Sequence, residues 1–211
     1  MQYAAWHMLK KLLILIFCCG VGLAVATEDR TILVIGDSIS AGYGISVDRG
    51  WVSLFRERLS RKGYRYDVVN ASISGDTTHS AVARLNNLLE SIHPDIAVVE
   101  LGGNDGLRGL MPDEIEKNLD TIITKLKGTG ARILIIPMEL PPNYGPVYTS
   151  QFHEMYLRLG ETHAVKVSKF ILEGIGDRPD LMQSDGIHPI AEAQEKMLDN
   201  IWPALQSMLE K

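Results

Sequence analysis

The chain has 211 residues, of which 45% are hydrophobic and 22% charged, enough for one compact domain with a sizeable core and too apolar for a disordered chain. Its 21 basic and 26 acidic side chains give a net charge of −5, a poor surface for polyanions, so nucleic acid is not expected as a partner. Both cysteines, Cys18 and Cys19, lie in an amino-terminal apolar segment, which excludes disulfides, thiol nucleophiles and thiolate metal sites from a mature chain without it.

Residues 1–26 read as a secretory signal: Lys10 and Lys11 precede the run Leu12 to Cys19, and Ala24-Val25-Ala26 ends in the small-x-small pattern of a cleavage site. Cleavage after Ala26 removes two lysines and no acid, leaving 19 basic against 26 acidic residues in 27–211, a balance of −7. The expected product is one domain, periplasmic or secreted, with no stable membrane insertion. A retained anchor is the alternative, because Leu12 to Ala26 approaches spanning length.

Beyond Glu28, short β-branched runs alternate with amphipathic stretches, the pattern of βαβ units and a parallel sheet. Strands are predicted at Thr31–Ile35, Tyr66–Val69, Asp95–Leu101 and Arg132–Ile136, with a weaker one at Val165–Val167. Helices are predicted near Trp51–Ser60, Ser80–Ser91, Pro112–Lys127, Val147–Glu161 and Pro189–Leu209, the last bent or ended by Pro203. The helix from Pro112 has a proline suited to its first position, a glycine at its end, and Ile115, Leu119, Ile122, Ile123 and Leu126 on one face. Right-handed crossovers then favour a doubly wound sheet of five strands between two helical layers.

Gly36-Asp37-Ser38 follows the first strand, so Ser38 is delivered to the carboxyl edge of the sheet, where ligands bind in open α/β folds. A serine hydroxyl needs a base, and histidine is the usual one. Of six histidines, His7 belongs to the signal, His93 and His163 precede strands at the opposite edge, and His153 lies within a helix. The other two each follow an aspartate by three residues: Asp76 with His79, and Asp185 with His188. Asp76 stands where a helix cap is expected. Asp185 and His188 share a loop in which Asp185 could accept the Nδ1 proton and leave Nε2 facing Ser38, although the pair also suits a mere helix start.

Two further loops offer donors for an oxyanion. Gly75, after the second strand, can bring its backbone N–H close, and Asn104, after the third, carries a neutral amide; either also fits ordinary turn chemistry. Residues 137–148, which include the Pro-rich loop 137–146, and the residues after Gly106 leave the same edge, which makes Met111, Leu140 and Tyr144 candidates to line a substrate groove. Two other chemistries remain open. Asp37, Asp76, Asn104, Asp185 and His188 could serve as ligands in a metal-dependent phosphoesterase, or the fold could be a non-catalytic binding module. A dinucleotide site is disfavoured, since 36–41 lacks the G-x-G-x-x-G turn.

Four blocks, GDSIS at 36–40, SGDT at 74–77, GGND at 102–105 and DGIHP at 185–189, stand in register along the chain. On these the chain resembles the SGNH (GDSL-type) hydrolase superfamily; ELGGNDGL, NASISGDT and the loop Pro142-Asn143-Tyr144-Gly145 are most similar to its periplasmic thioesterase I/lysophospholipase L1/arylesterase subgroup. The resemblance implies a flavodoxin-like sheet and Ser38 as nucleophile. It implies His188 as base with Asp185 behind it, and Gly75 and Asn104 as oxyanion donors. It further implies small-molecule acyl esters or thioesters as substrates and no metal or organic cofactor. Ile39, where many relatives carry leucine, is a small departure.

Overall fold

The computed structural model describes residues 30–211, so the signal segment read from 1–26 lies outside the described residues. Five strands, β1 (Arg30–Gly36), β2 (Tyr66–Asn70), β3 (Ile96–Glu100), β4 (Arg132–Ile135) and β5 (Lys166–Val167), form one all-parallel sheet in the order β2-β1-β3-β4-β5. Parallel strands covered on both faces need continuous apolar runs. Ile32 to Ile35, Ile96 to Val99 and Ile133 to Ile135 supply them, each at most 3% exposed.

The crossovers carry α2 (Trp51–Arg61), α3 (Thr78–Ser91), α5 (Pro112–Gly128) and α6 (Pro146–His163), and α7 (Gln194–Gln206) follows the last strand. On α5 the residues Ile115, Leu119, Ile122, Ile123 and Leu126 are all buried, the apolar face expected from their spacing. Two one-turn helices were not legible in the sequence: α1 (Ser38–Ala41) and α4 (Gly103–Leu107), each directly behind a strand. They are too short to show a helical period.

The last helix departs from expectation at both ends. Pro189 does not begin it; Pro189 bridges antiparallel to Met182, a turn spans Ala191–Ala193, and α7 starts at Gln194. Pro203 does not end α7, which runs on to Gln206. So near a carboxyl terminus the missing N–H costs one backbone bond. Among the described residues no helix is long and apolar enough to cross a membrane.

Candidate active site

Asp37 caps α1, its Oδ1 accepting from Ile39 N–H at 3.0 Å, and this places Ser38 at the first helical position above the end of β1. Gly36 is required beneath it: a Cβ there would fall 2.7 Å from both Glu100 Oε2 and Ser40 Oγ. From the far end of the chain, His188 Nε2 stands 2.8 Å from Ser38 Oγ, and His188 Nδ1 stands 2.7 Å from Asp185 Oδ2. Ser38 and His188 are 150 residues apart in sequence. Asp185 Oδ1 accepts the backbone N–H groups of Ile187 (2.9 Å) and His188 (3.0 Å), so the same carboxylate closes the turn that presents the imidazole. Those N–H donors and the ring, led by the His188 backbone, hold Asp185 down to about 2, where it stays charged through the working pH range.

The rival pair is not assembled in this way. Asp76 is buried and bound by Arg84 (2.6 and 2.9 Å) and Ser80 Oγ (2.5 Å), while Thr77 caps α3 through a capping box with Ser80. His79 lies exposed in the first turn of α3. Asp76 therefore sits one residue before the cap expected of it.

Asn104, in α4, lines the same groove as Ser38 and His188. Its Nδ2 donates to Asp37 Oδ2 and to the Asp76 carbonyl, both at 3.0 Å. Both amide hydrogens are thus engaged in the resting geometry. Gly75 has a φ of +80°, which favours glycine, and it does not line the groove; its carbonyl accepts from Arg108 at 3.4 Å.

The groove itself has a volume of about 950 Å³ and runs from Ser38 between the segment after β4, including Met138, Leu140 and Pro141, and the segment after β5, including Phe170, Leu172 and Met182. Leu140 belongs to it as expected. Met111 and Tyr144 do not: Met111 is 59% exposed, and the Tyr144 hydroxyl donates to the Leu107 carbonyl at 2.8 Å. Phe170, Leu172 and Met182 were missed because they lie in irregular chain with no periodic signal.

Sequence reasoning also passed over Glu100, the last residue of β3. It is wholly buried, with Oε2 accepting from Ser40 Oγ at 2.6 Å and Oε1 without a partner. Burial, reinforced by the neighbouring Asp37, pushes its carboxyl well above the ordinary range. Burial likewise raises Asp37 to about 6, against the opposing pull of the Ile39 N–H. Ionising Glu100 is harder in the folded than in the unfolded chain, so its contribution to stability is present at acid pH and lost as pH climbs past the ordinary carboxylate value. Glu100→Gln removes this slope. In thermal melts the Tm of the variant minus that of the parent should grow from pH 5 to pH 8, and a pH-independent difference would contradict a neutral Glu100.

Among the described residues no three His, Cys, Asp or Glu side chains gather into a group suited to a metal ion. Of the residues considered for a phosphoesterase centre, Asp76 is paired with Arg84, Asp185 with His188, and Asp37 accepts from Asn104.

Hydroxyl, imidazole and carboxylate in series at the carboxyl edge of a five-stranded parallel sheet define a serine hydrolase of the α/β/α, flavodoxin-like class. The chain belongs to the GDSL-like Lipase/Acylhydrolase family, whose model matches residues 34–196. It is 46% identical over 180 residues to the protein named Esterase TesA of Pseudomonas aeruginosa, a match covering 85% of this chain and 90% of the relative. It is 41% identical over 181 residues to Thioesterase 1/protease 1/lysophospholipase L1 of Escherichia coli, covering 86% of this chain and 85% of the relative. The crystal structure of TesA superposes with a TM-score of 0.82 at 46% identity, covering 85% of this chain and all of the other.

Proposed function

We propose that the protein hydrolyses carboxylic esters and thioesters of acyl chains through an acyl-serine intermediate formed on Ser38. The carrying observation is the 2.8 Å contact between Ser38 Oγ and His188 Nε2, with Asp185 on the other ring nitrogen. With Nδ1 protonated toward Asp185, Nε2 is free to accept the Ser38 proton as Oγ attacks the carbonyl carbon. His188 then returns that proton to the departing alcohol or thiol. Water, deprotonated by the same nitrogen, releases the carboxylic acid in a second round.

The tetrahedral oxyanion needs donors aimed at it. Ser38 N–H, at the first position of α1, precedes the helix's own bonding ladder and is available. Asn104 contributes by turning one amide hydrogen from Asp37 or the Asp76 carbonyl to the oxyanion, and Gly75 N–H is the third donor that the family resemblance implies. Asn104→Ala should lower kcat about 10²- to 10³-fold with a small change in KM, because a single oxyanion donor carries about that much. Equal losses in kcat and in ground-state affinity would move Asn104 from the oxyanion to the groove wall.

The apolar walls of Met138, Leu140, Phe170 and Met182 suit an acyl chain, and the names of the relatives, esterase and thioesterase/lysophospholipase, agree with that class. No metal or organic cofactor enters this chemistry. The Lys10 to Ala26 segment supports export, with 27–211 as the working domain in the periplasm or outside the cell. The deciding experiment is hydrolysis by the purified protein of p-nitrophenyl esters and acyl thioesters of graded length. Activity resistant to chelator supports the reading. Tight ligand binding with no hydrolysis of any ester would instead support a binding module.

A further inference from the structure

The loop that carries His188 is a small hairpin held by its own bonds. Met182 and Pro189 form its bridge, Gln183 N–H donates to the His188 carbonyl at 2.7 Å, and Gly186 N–H donates to the Gln183 carbonyl at 2.9 Å. These bonds fix Asp185 against His188 but not the hairpin against Ser38. Beside the direct contact of His188 with Ser38, one side chain ties the hairpin to the segment behind Ser38. Gln183 Nε2 donates to the Tyr43 carbonyl at 2.8 Å and to the Pro189 carbonyl at 3.1 Å, using both amide hydrogens. Tyr43 in turn donates its N–H to the carbonyl of Ser38 at 3.1 Å. Three successive hydrogen bonds therefore join the backbone of Ser38 to that of His188, through Tyr43 and Gln183.

Tyr43 also acts through its ring, whose centroid lies 4.5 Å from that of His188 at an interplanar angle of 42°. It keeps this place although 52% exposed, so the imidazole is bounded by Ser38 and Asp185 along its edges and by an aromatic face on one side. Gly44 leaves room for the bridge: at φ +74°, a Cβ there would run into the Gln183 amide.

We infer that Gln183 and Tyr43 are positioning residues that hold the His188 hairpin in register with Ser38, setting the distance over which the proton passes. The inference rests on the acyl-transfer reading above. A misplaced imidazole affects proton return to the leaving group most, and that step matters more for an alkoxide than for a stabilised phenolate. A simple loss of folded protein lowers both reactions equally.

The test compares ethyl butyrate with p-nitrophenyl butyrate, with active sites counted by organophosphonate titration. Gln183→Glu keeps the length but turns oxygens toward two carbonyls, and Gln183→Met keeps the volume without either donor. Each, like Tyr43→Ala, should lower kcat per titrated site about 10- to 100-fold on the ethyl ester and several-fold less on the activated ester, with KM little changed. Tyr43→Phe, which retains the ring, should recover the ethyl-ester rate. Unchanged kcat on both esters, or equal losses on the two, would overturn the inference. Parent protein that neither titrates nor turns over would overturn the esterase reading itself.

Discussion

Ser38→Ala should abolish nearly all turnover, lowering kcat roughly 10⁴- to 10⁶-fold on any ester the parent cleaves, the loss expected when the nucleophile of a coupled serine–histidine pair is removed. The residue is small and 9% exposed at the start of a one-turn helix, so deleting one oxygen opens no cavity of consequence and the fold should survive. Binding should survive too, since the groove walls from Met138 to Met182 are untouched. The variant is therefore expected to bind a non-hydrolysable acyl analogue with parental affinity while failing to turn over. After organophosphonate treatment, peptide mass spectrometry should find the adduct on Ser38 in the parent and nowhere in the variant. An adduct on another residue, or rates within ten-fold of the parent, would remove Ser38 from the chemistry.

Why this much of the site could be read from sequence, and the rest could not, follows from what each residue depends on. Ser38 and Asn104 come directly behind apolar runs, so identifying the strand places the side chain at the carboxyl edge. Asp185 and His188 lie three residues apart in a turn closed by the aspartate itself, a local device. Gln183 and Tyr43 are different: their roles depend on contacts across 140 residues between two irregular loops, for which neither period nor propensity carries information. The same holds for Glu100. In sequence it is the polar end of a strand, and only the packing of Gly36 and Ser40 against it shows a carboxyl buried close to Ser38. Phe170, Leu172 and Met182 entered the groove unannounced for a related reason, since β5 is only two residues long and the chain from it to Met182 holds only a single three-residue 3-10 turn, too short to set a phase. Met111 was misplaced because its loop leaves the correct edge but its side chain turns to solvent.

Asp185→Asn separates the two roles that the sequence left open for this residue. If Asp185 only closes a turn, asparagine should serve nearly as well, because its carbonyl oxygen can still accept the N–H groups of Ile187 and His188, now 2.9 and 3.0 Å from Oδ1. If it orients the base, the substitution is costly. With the amide oxygen kept by the backbone, the NH₂ group points at His188 Nδ1, which must then accept a bond rather than donate one. The ring proton moves to Nε2, the nitrogen 2.8 Å from Ser38 Oγ, and no lone pair remains there to take the serine proton. Turnover should fall about 10²- to 10⁴-fold; the lower figure applies if solvent at this partly exposed carboxylate softens the tautomer preference. The turn is preserved, so the variant should fold, with a Tm near neutral pH lowered only by what the charged carboxylate contributes there. Asp185 is held at about 2, so that contribution is present above the ordinary carboxylate value and lost as pH falls toward 2; asparagine has no such dependence, and the deficit should close in acid melts. Full activity in Asp185→Asn would reduce this residue to a turn former and leave His188 to be oriented by the Gln183 bridge and the Tyr43 ring alone.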